Sequence, residues 1–207
     1  MKKKTDRTRA AKAIEPFRVP SAAAWERWLE KNHATSTGVW LTIARNGSGL
    51  RTPTYDEALD GALAWGWIDA QKRSLDGVSW LQRFCPRRPK GLWSQRNREK
   101  VAALEKVGRM RPPGAAAVAA AKRDGRWDAA YASPSRATVP DDLARALAAA
   151  PEAASFFAGL DGANRYAVLW RVATAKKAET RAARIAKLVE MLARGERIHP
   201  KRRAGGA

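Results

Sequence analysis

Strand-forming sequence is confined to one part of this chain, about residues 38–84, and this limits the fold more than any other feature. Residues 38–45 are rich in β-branched and aromatic side chains and apolar on both faces, which predicts a buried strand. Two further strands, about 67–74 and 78–84, flank Asp76-Gly77, a dipeptide typical of hairpin turns. We therefore predict an α+β fold with a small antiparallel sheet of about three strands surrounded by helices.

Helix signals cover most of the remaining sequence. Ser21, Ser94 and a capping box formed by Thr54 and Glu57 mark helix starts, and Pro112-Pro113 opens an Ala-rich helix. From residue 138 onward, only helical patterns occur. The predicted organisation is a disordered basic tail (1–14), an α+β domain (15–137), a C-terminal helical subdomain (138–200) and a disordered tail (201–207).

The charge balance is strongly basic. The chain has 40 Lys and Arg against 20 Asp and Glu, a formal net charge of +20. Such a field attracts nucleic acids, anionic lipid surfaces and acidic ligands. The alternative is a merely solvated basic surface, with an arginine content that reflects GC-rich coding DNA. Both interpretations stay open at this point.

Few sequence signals indicate the compartment of the protein or an association with membranes. The longest apolar stretches are too short to span a bilayer, and the basic first residues are not followed by the apolar segment of a signal peptide. The single cysteine, Cys85, cannot pair within the chain and fits a reducing compartment. We expect a cytoplasmic protein without a membrane span.

No catalytic or cofactor motif stands out. His33, His199 and Cys85 do not lie at metal-ligand spacing, and phosphate-binding glycine loops and a nucleophile elbow are absent from the sequence. We expect no metal and no cofactor, and we assign no catalytic residue. Asp69 lies among cations in the sequence and is predicted to pair with an arginine, and His33 is predicted to cap a helix.

The most promising chemistry lies between residues 65 and 98. Alternation places Trp67, Asp69 and Gln71 on one face of a hairpin strand. On the next strand, Trp80, Gln82 and Phe84 share one face, and Arg83 points to the other face. A basic loop then precedes a helix start, which attracts anions. The candidate anion-binding residues are Trp67, Asp69, Gln71, Arg83, Arg87, Arg88, Trp93 and Ser94. The alternative is that the tryptophans form core and the arginines are solvated or paired.

Several strings resemble one known family. They are Gly66-Trp-Ile-Asp-Ala-Gln-Lys-Arg73, Trp80-Leu-Gln-Arg-Phe84, Pro86-Arg-Arg-Pro-Lys90 with Trp93-Ser94, Asn164-Arg-Tyr166, Thr174-Ala-Lys-Lys177, Glu179-Thr-Arg181 and Arg184-Ile-Ala-Lys187. From about residue 25 to 200, the chain is similar to the YdeI/OmpD-associated family, also called bacteriocin-protection proteins. The resemblance implies a role in tolerance of bacteriocins or cationic antimicrobial peptides and a link to an outer-membrane porin, but no catalytic residues.

The positive charge of the chain argues against direct binding of cationic peptides. A chain of net charge +20 repels cationic peptides, so we expect any protective role to be indirect. We predict a non-enzymatic binding or stress-tolerance protein. One alternative is a nucleic-acid-binding protein that uses the basic surplus and its tryptophans. Another is an enzyme or sensor for a small phosphorylated or carboxylate ligand, which would use Arg83, Arg87, Arg88 and the helix start at Ser94.

Overall fold

The computed structural model describes residues 14–200. The predicted disordered tails, 1–14 and 201–207, therefore lie outside the described residues except for Ile14. The strands are β1 (Pro16–Phe17), β2 (Val39–Ala44), β3 (Trp67–Ser74) and β4 (Ser79–Pro86). The helices are α1 (Ala22–Asn32), α2 (Tyr55–Ala64), α3 (Gln95–Lys106), α4 (Pro112–Arg123), α5 (Asp141–Ala148), α6 (Pro151–Ala158), α7 (Gly162–Ala173) and α8 (Ala178–Ala193). The predicted α+β class is confirmed.

The sheet contains one strand more than predicted. Its order is β1-β2-β4-β3, and β1 pairs parallel to β2, whereas the other neighbours are antiparallel. The expectation of about three antiparallel strands within residues 38–84 is thus corrected to a mixed sheet of four. A two-residue strand that begins with Pro16 is too short to show alternation, and a parallel partner leaves no hairpin turn in the sequence.

A bulge interrupts the pairing of β3 with β4. Asp69 lies opposite Phe84, but the next aligned pair is Lys72 with Gln82, so β3 holds one extra residue. Directly opposed residues point to the same side of a sheet. Lys72, rather than Gln71, therefore continues the face of Asp69. Simple alternation, which placed Gln71 on that face, was wrong at this position.

Local signals position the helices against the sheet. The side chain of Ser21 caps α1, and Thr54 and Glu57 form the predicted capping box at the start of α2. After α2, Gly66 adopts a φ of 74°, a left-handed conformation that glycine adopts readily. Gly114 lets α4 approach α2, since a Cβ there would lie 2.2 Å from the Ala64 carbonyl oxygen.

The chain divides into two compact units. Among the described residues, the sheet unit contains 14–91 and 99–127, and the helical unit contains 92–98 and 128–200. The domain bounds of 15–137 and 138–200 stay a prediction. Aromatic rings of Trp25, Trp67 and Phe84 dominate the core of the sheet unit. The helical unit has its own apolar core, built from α5 to α8, with Leu143, Val168 and Leu192 fully buried.

Candidate anion-binding cleft

The predicted anion-binding residues fall into both units. Trp93 and Ser94 belong to the helical unit, and the other six residues belong to the sheet unit. Both predicted tryptophans are core residues: Trp67 and Trp93 are 1% and 2% exposed. The Trp67 ring N–H donates to the His33 carbonyl oxygen at 3.1 Å. Their rings therefore offer almost no surface to a ligand, as the core alternative proposed.

The Asp69 carboxylate accepts a hydrogen bond from a tyrosine side chain. The Tyr55 hydroxyl donates to an Asp69 carboxylate oxygen at 2.7 Å, whereas the sequence predicted an arginine partner. Lys72 lies on the same face with its ammonium group 4.1 Å from the Trp80 ring centroid. These contacts connect β3 to α2 and β4, so Asp69 has a structural role.

The remaining predicted residues occupy the hairpin and the segment after it. Gln71 and Arg88 are exposed, and the Arg87 backbone N–H donates to the Gly66 carbonyl oxygen at 3.0 Å. The Ser94 hydroxyl accepts from the Asn97 N–H at 3.2 Å and so caps α3, as predicted. His33 is the predicted cap of α1, with its ring Nδ1 3.0 Å from the Leu29 carbonyl oxygen.

Arg83 belongs to a cluster that contains an indole and a second arginine. In the sheet register, Arg83 lies opposite Trp40, and its guanidinium carbon is 5.9 Å from the Trp40 ring centroid. Arg73 approaches the same ring at 5.4 Å. In the part of the chain that the structure describes, neither guanidinium group is paired with a carboxylate. We call Trp40, Arg73 and Arg83 the Arg–Trp cluster.

A cleft of about 510 Å³ opens beside this cluster. Its apolar walls come from Ile14, Phe17, Val39 and Trp40, and its charged groups are Arg83 and Glu15. The volume lies within the range of about 300–1,000 Å³ that is typical of small-molecule sites. The sheet unit therefore presents a concave site with both polar and apolar walls and a guanidinium group on one of them.

Gly38 permits the close packing at this cleft. Its φ is 127°, and a Cβ there would lie 2.7 Å from the Phe84 carbonyl oxygen and 3.0 Å from Arg83 Nη2. Arg83 Nη2 donates to the Thr37 carbonyl oxygen at 3.3 Å, which anchors the guanidinium group. Any side chain at position 38 would displace the backbone or the arginine.

Sequence reasoning found only Arg83 among these residues. Trp40 lay in a strand predicted to be apolar on both faces, and Arg73 was not among the predicted site residues. The cluster depends on the pairing of β2 with β4, which are separated in sequence by α2 and β3. The one available signal was alternation, which correctly turned Arg83 away from the face of Phe84.

Two arginines in the helical unit, Arg181 and Arg184, have protein partners. Arg181 binds both carboxylate oxygens of Asp142, at 2.6 and 2.9 Å, and also the Val172 carbonyl oxygen at 2.8 Å. Arg184 donates to the Arg171 carbonyl oxygen at 2.8 Å. These bonds satisfy carbonyls at the end of α7. The hydrogen bond from Arg181 also lowers the pKa of Asp142 below its usual 3.8.

Other motif residues of the helical unit are also structural. The Asn164 amide nitrogen donates to Asp161 at 2.9 Å, and its oxygen accepts from the His199 N–H at 2.8 Å. The Tyr166 hydroxyl donates to the Ala132 carbonyl oxygen at 2.9 Å. The family-like strings in this unit therefore contain residues that hold helix ends and the C-terminal segment in place.

Comparison with known families assigns the two parts of the chain separately. Residues 136–195 match the family model described as bacteriocin-protection, YdeI or OmpD-associated. Residues 17–117 match a domain of unknown function, DUF8412. The chain thus combines an α+β module with an all-helical one, and only its C-terminal part matches the YdeI/OmpD-associated family model. The resemblance is confirmed for that part. No curated protein and no solved structure matched the chain.

Within residues 14–200, no helix has the length and apolar character needed to cross a membrane.

Proposed function

We propose that this protein is a non-enzymatic binding protein with a stress-tolerance role, and that it holds an anionic partner at the cleft beside the Arg–Trp cluster. The observation that carries the proposal is the pair Arg73 and Arg83, unpaired with any described carboxylate and arranged around one partly buried indole. Guanidinium groups bind carboxylates and phosphates through charge-assisted hydrogen bonds, which are stronger than neutral ones.

The arrangement of Arg83 favours binding. Its anchor to Thr37 restricts the guanidinium group before a ligand arrives, so less side-chain entropy is lost on binding. The indole replaces water on one side, which strengthens the interaction with an anion. The net charge of +20 adds a long-range field that accelerates the approach of anions.

The protective role is proposed as an indirect one. The description of the matched family names bacteriocin protection, but like charge opposes direct capture of cationic peptides by this chain. Binding of an anionic cellular molecule avoids that conflict.

We also propose a cytoplasmic location, which fractionation of cells that express the full chain would test.

The binding test uses calorimetry at low salt with inorganic phosphate, phenyl phosphate and a short oligothymidylate as probes. We expect the double variant Arg73→Gln/Arg83→Gln to bind at least one probe about tenfold more weakly than the wild type, a loss of about 1.4 kcal/mol. The matched control is Arg51→Gln/Arg123→Gln, which removes two exposed charges of the sheet unit away from the cleft.

Equal losses in the two double variants would mean that only the general positive field attracts anions, and the proposal would fall. Preferential binding of the oligothymidylate would favour the nucleic-acid alternative. In cells, a deletion strain complemented with Arg73→Gln/Arg83→Gln should stay more sensitive to bacteriocins than one complemented with the control. Equal survival would contradict the stress-tolerance part.

A further inference from the structure

We infer, on the basis of the proposed function, that the ligand of the cleft is a small amphipathic molecule with a single anionic group: one carboxylate or phosphate monoester on a flat apolar body. Polyanions and single-stranded nucleic acid are therefore not the preferred partners. The proposed ligand class follows from the composition of the cleft walls, the donors of Arg83, the position of Glu15 and the coverage of the neighbouring sheet face.

The walls favour an apolar ring. Phe17 and Trp40 contribute aromatic surface, and Ile14 and Val39 contribute aliphatic surface. The Phe17 ring is held by Trp28 at a centroid distance of 5.1 Å, so this wall exists before a ligand binds. A flat ring buried here gains about 25 cal/mol for each Å² of apolar surface removed from water. Inorganic phosphate has no such surface and gains nothing from these walls.

One anionic group matches the donors available. A guanidinium group has five N–H donors, and the Thr37 carbonyl occupies one at Nη2 of Arg83. The remaining donors include a fork that fits both oxygens of a carboxylate or phosphate. Arg73 faces the same indole and adds positive potential. The anionic end of the ligand is therefore placed at Arg83, with the ring against Trp40.

Glu15 selects against additional negative charge. Its carboxylate is exposed and contributes to the cleft lining. A second or third phosphate on the ligand would approach this carboxylate, and like charges at short range weaken binding. A single anionic group can bind Arg83 and leave only the apolar body toward the rest of the cleft.

The sheet face beside the cluster is unsuited to a nucleic-acid strand. Thr42 and Leu81 lie on the same face as Trp40 and Arg83, but each is only 4% exposed. Proteins that bind single strands present several exposed aromatic rings along a positive groove. Here, one partly buried indole is followed by covered residues, so this face offers no continuous track.

The test compares ligands that differ in one property. Calorimetry with the full-length protein measures 1-naphthyl phosphate, inorganic phosphate, 1-naphthalenemethanol and the short oligothymidylate. We expect 1-naphthyl phosphate to bind at least about tenfold more tightly than either of its parts. Arg83→Gln should abolish this advantage by removing the anion site. Trp40→Leu should reduce binding of the naphthyl ligand to the level of inorganic phosphate, and Trp40→Phe should restore part of it.

Two further variants test whether Glu15 weakens the binding of ligands with additional negative charge. Glu15→Gln should strengthen binding of pyrophosphate more than that of 1-naphthyl phosphate, and Arg51→Gln should change both equally. Equal affinity for 1-naphthyl phosphate and inorganic phosphate, with dependence on Arg83, would overturn this inference and leave the proposed function intact. Tighter binding of the oligothymidylate would overturn it as well. Absence of binding by every anion would remove both proposals.

Discussion

Two pairs of arginines, one pair in each unit, have opposite surroundings. In the helical unit, Arg181 and Arg184 bind the end of α7, and Arg181 also binds Asp142. In the sheet unit, Arg73 and Arg83 face the Trp40 ring, and Arg83 also lines the cleft; no carboxylate among the described residues is paired to either of them. The first pair maintains the fold, whereas the second pair remains available to a ligand.

The number of charged residues alone therefore does not identify the functional cations. With 40 Lys and Arg against 20 Asp and Glu, pairing cannot neutralise the chain even if every carboxylate binds one cation. The surplus is therefore real, but its location decides its use. Buried or bonded arginines contribute to stability, and unpaired arginines beside a concave site are the ones that we propose for recognition.

The largest effect expected is on the stability of the helical unit. Arg181→Ala leaves the part-exposed Asp142 carboxylate and the Val172 carbonyl without their guanidinium donors, so the free energy of unfolding should fall by about 2.5 kcal/mol. Hydrogen exchange of peptides from α7 and α8 measures this unit selectively. Arg181→Lys retains the charge but loses the fork and should give an intermediate loss. A loss below about 1 kcal/mol would contradict the structural role.

Gly38→Ala should have the next largest effect, in the sheet unit. A Cβ at this φ of 127° meets the Phe84 carbonyl oxygen, so we expect a loss of about 2 kcal/mol and weaker anion binding as Arg83 shifts. Gly47→Ala is the control, because its φ is also positive, at 76°, but open space surrounds it. Equal stability and unchanged affinity in the two variants would show that Gly38 does not position the arginine.

Most of the fold could be predicted from local signals. Helix caps at Ser21, Thr54 and Asp161 depend on residues within one turn, so the sequence contains the whole interaction. The parallel strand β1 could not be predicted, since its two residues are identified only by their pairing with β2. The same holds for the bulge at Ala70 and Gln71, which is defined by the partner strand.

The cleft was predictable only in part. Alternation identified the direction of Arg83, but Trp40 and Arg73 join it through cross-strand register, which a single sequence does not specify. Tryptophan content was misleading, because Trp67 and Trp93 are core residues and the partly exposed Trp40 lay in a strand that read as buried. Composition left an anionic partner and a merely solvated basic surface as open alternatives, and it gave no location for a site.

A smaller effect should appear in the pH dependence of stability. Because Arg181 lowers the pKa of Asp142 in the folded state, this carboxylate stabilises the fold above the unfolded pKa of 3.8, and the stabilisation is lost as pH falls through the lower folded pKa. The Asp142 side chain is 36% exposed, so we expect only about 1 kcal/mol after screening. Asp142→Asn should be less stable than wild type at pH 7, and the difference should shrink below pH 3.8. A constant difference would contradict this pairing.

The smallest effect on the free energy of unfolding is expected for Arg73. Arg73 is exposed and contacts the edge of the site only through the Trp40 ring, so Arg73→Gln should change the free energy of unfolding by less than about 0.5 kcal/mol. Arg184→Gln is the matched substitution in the helical unit, and it should cost about 1–2 kcal/mol because the Arg171 carbonyl loses its donor. Urea unfolding and phenyl phosphate calorimetry on both variants give the decisive pattern. Arg73→Gln should bind phenyl phosphate more weakly and keep the stability of the wild type. Arg184→Gln should keep the affinity and lose stability. Similar behaviour of the two variants would contradict the different roles assigned to these two arginines.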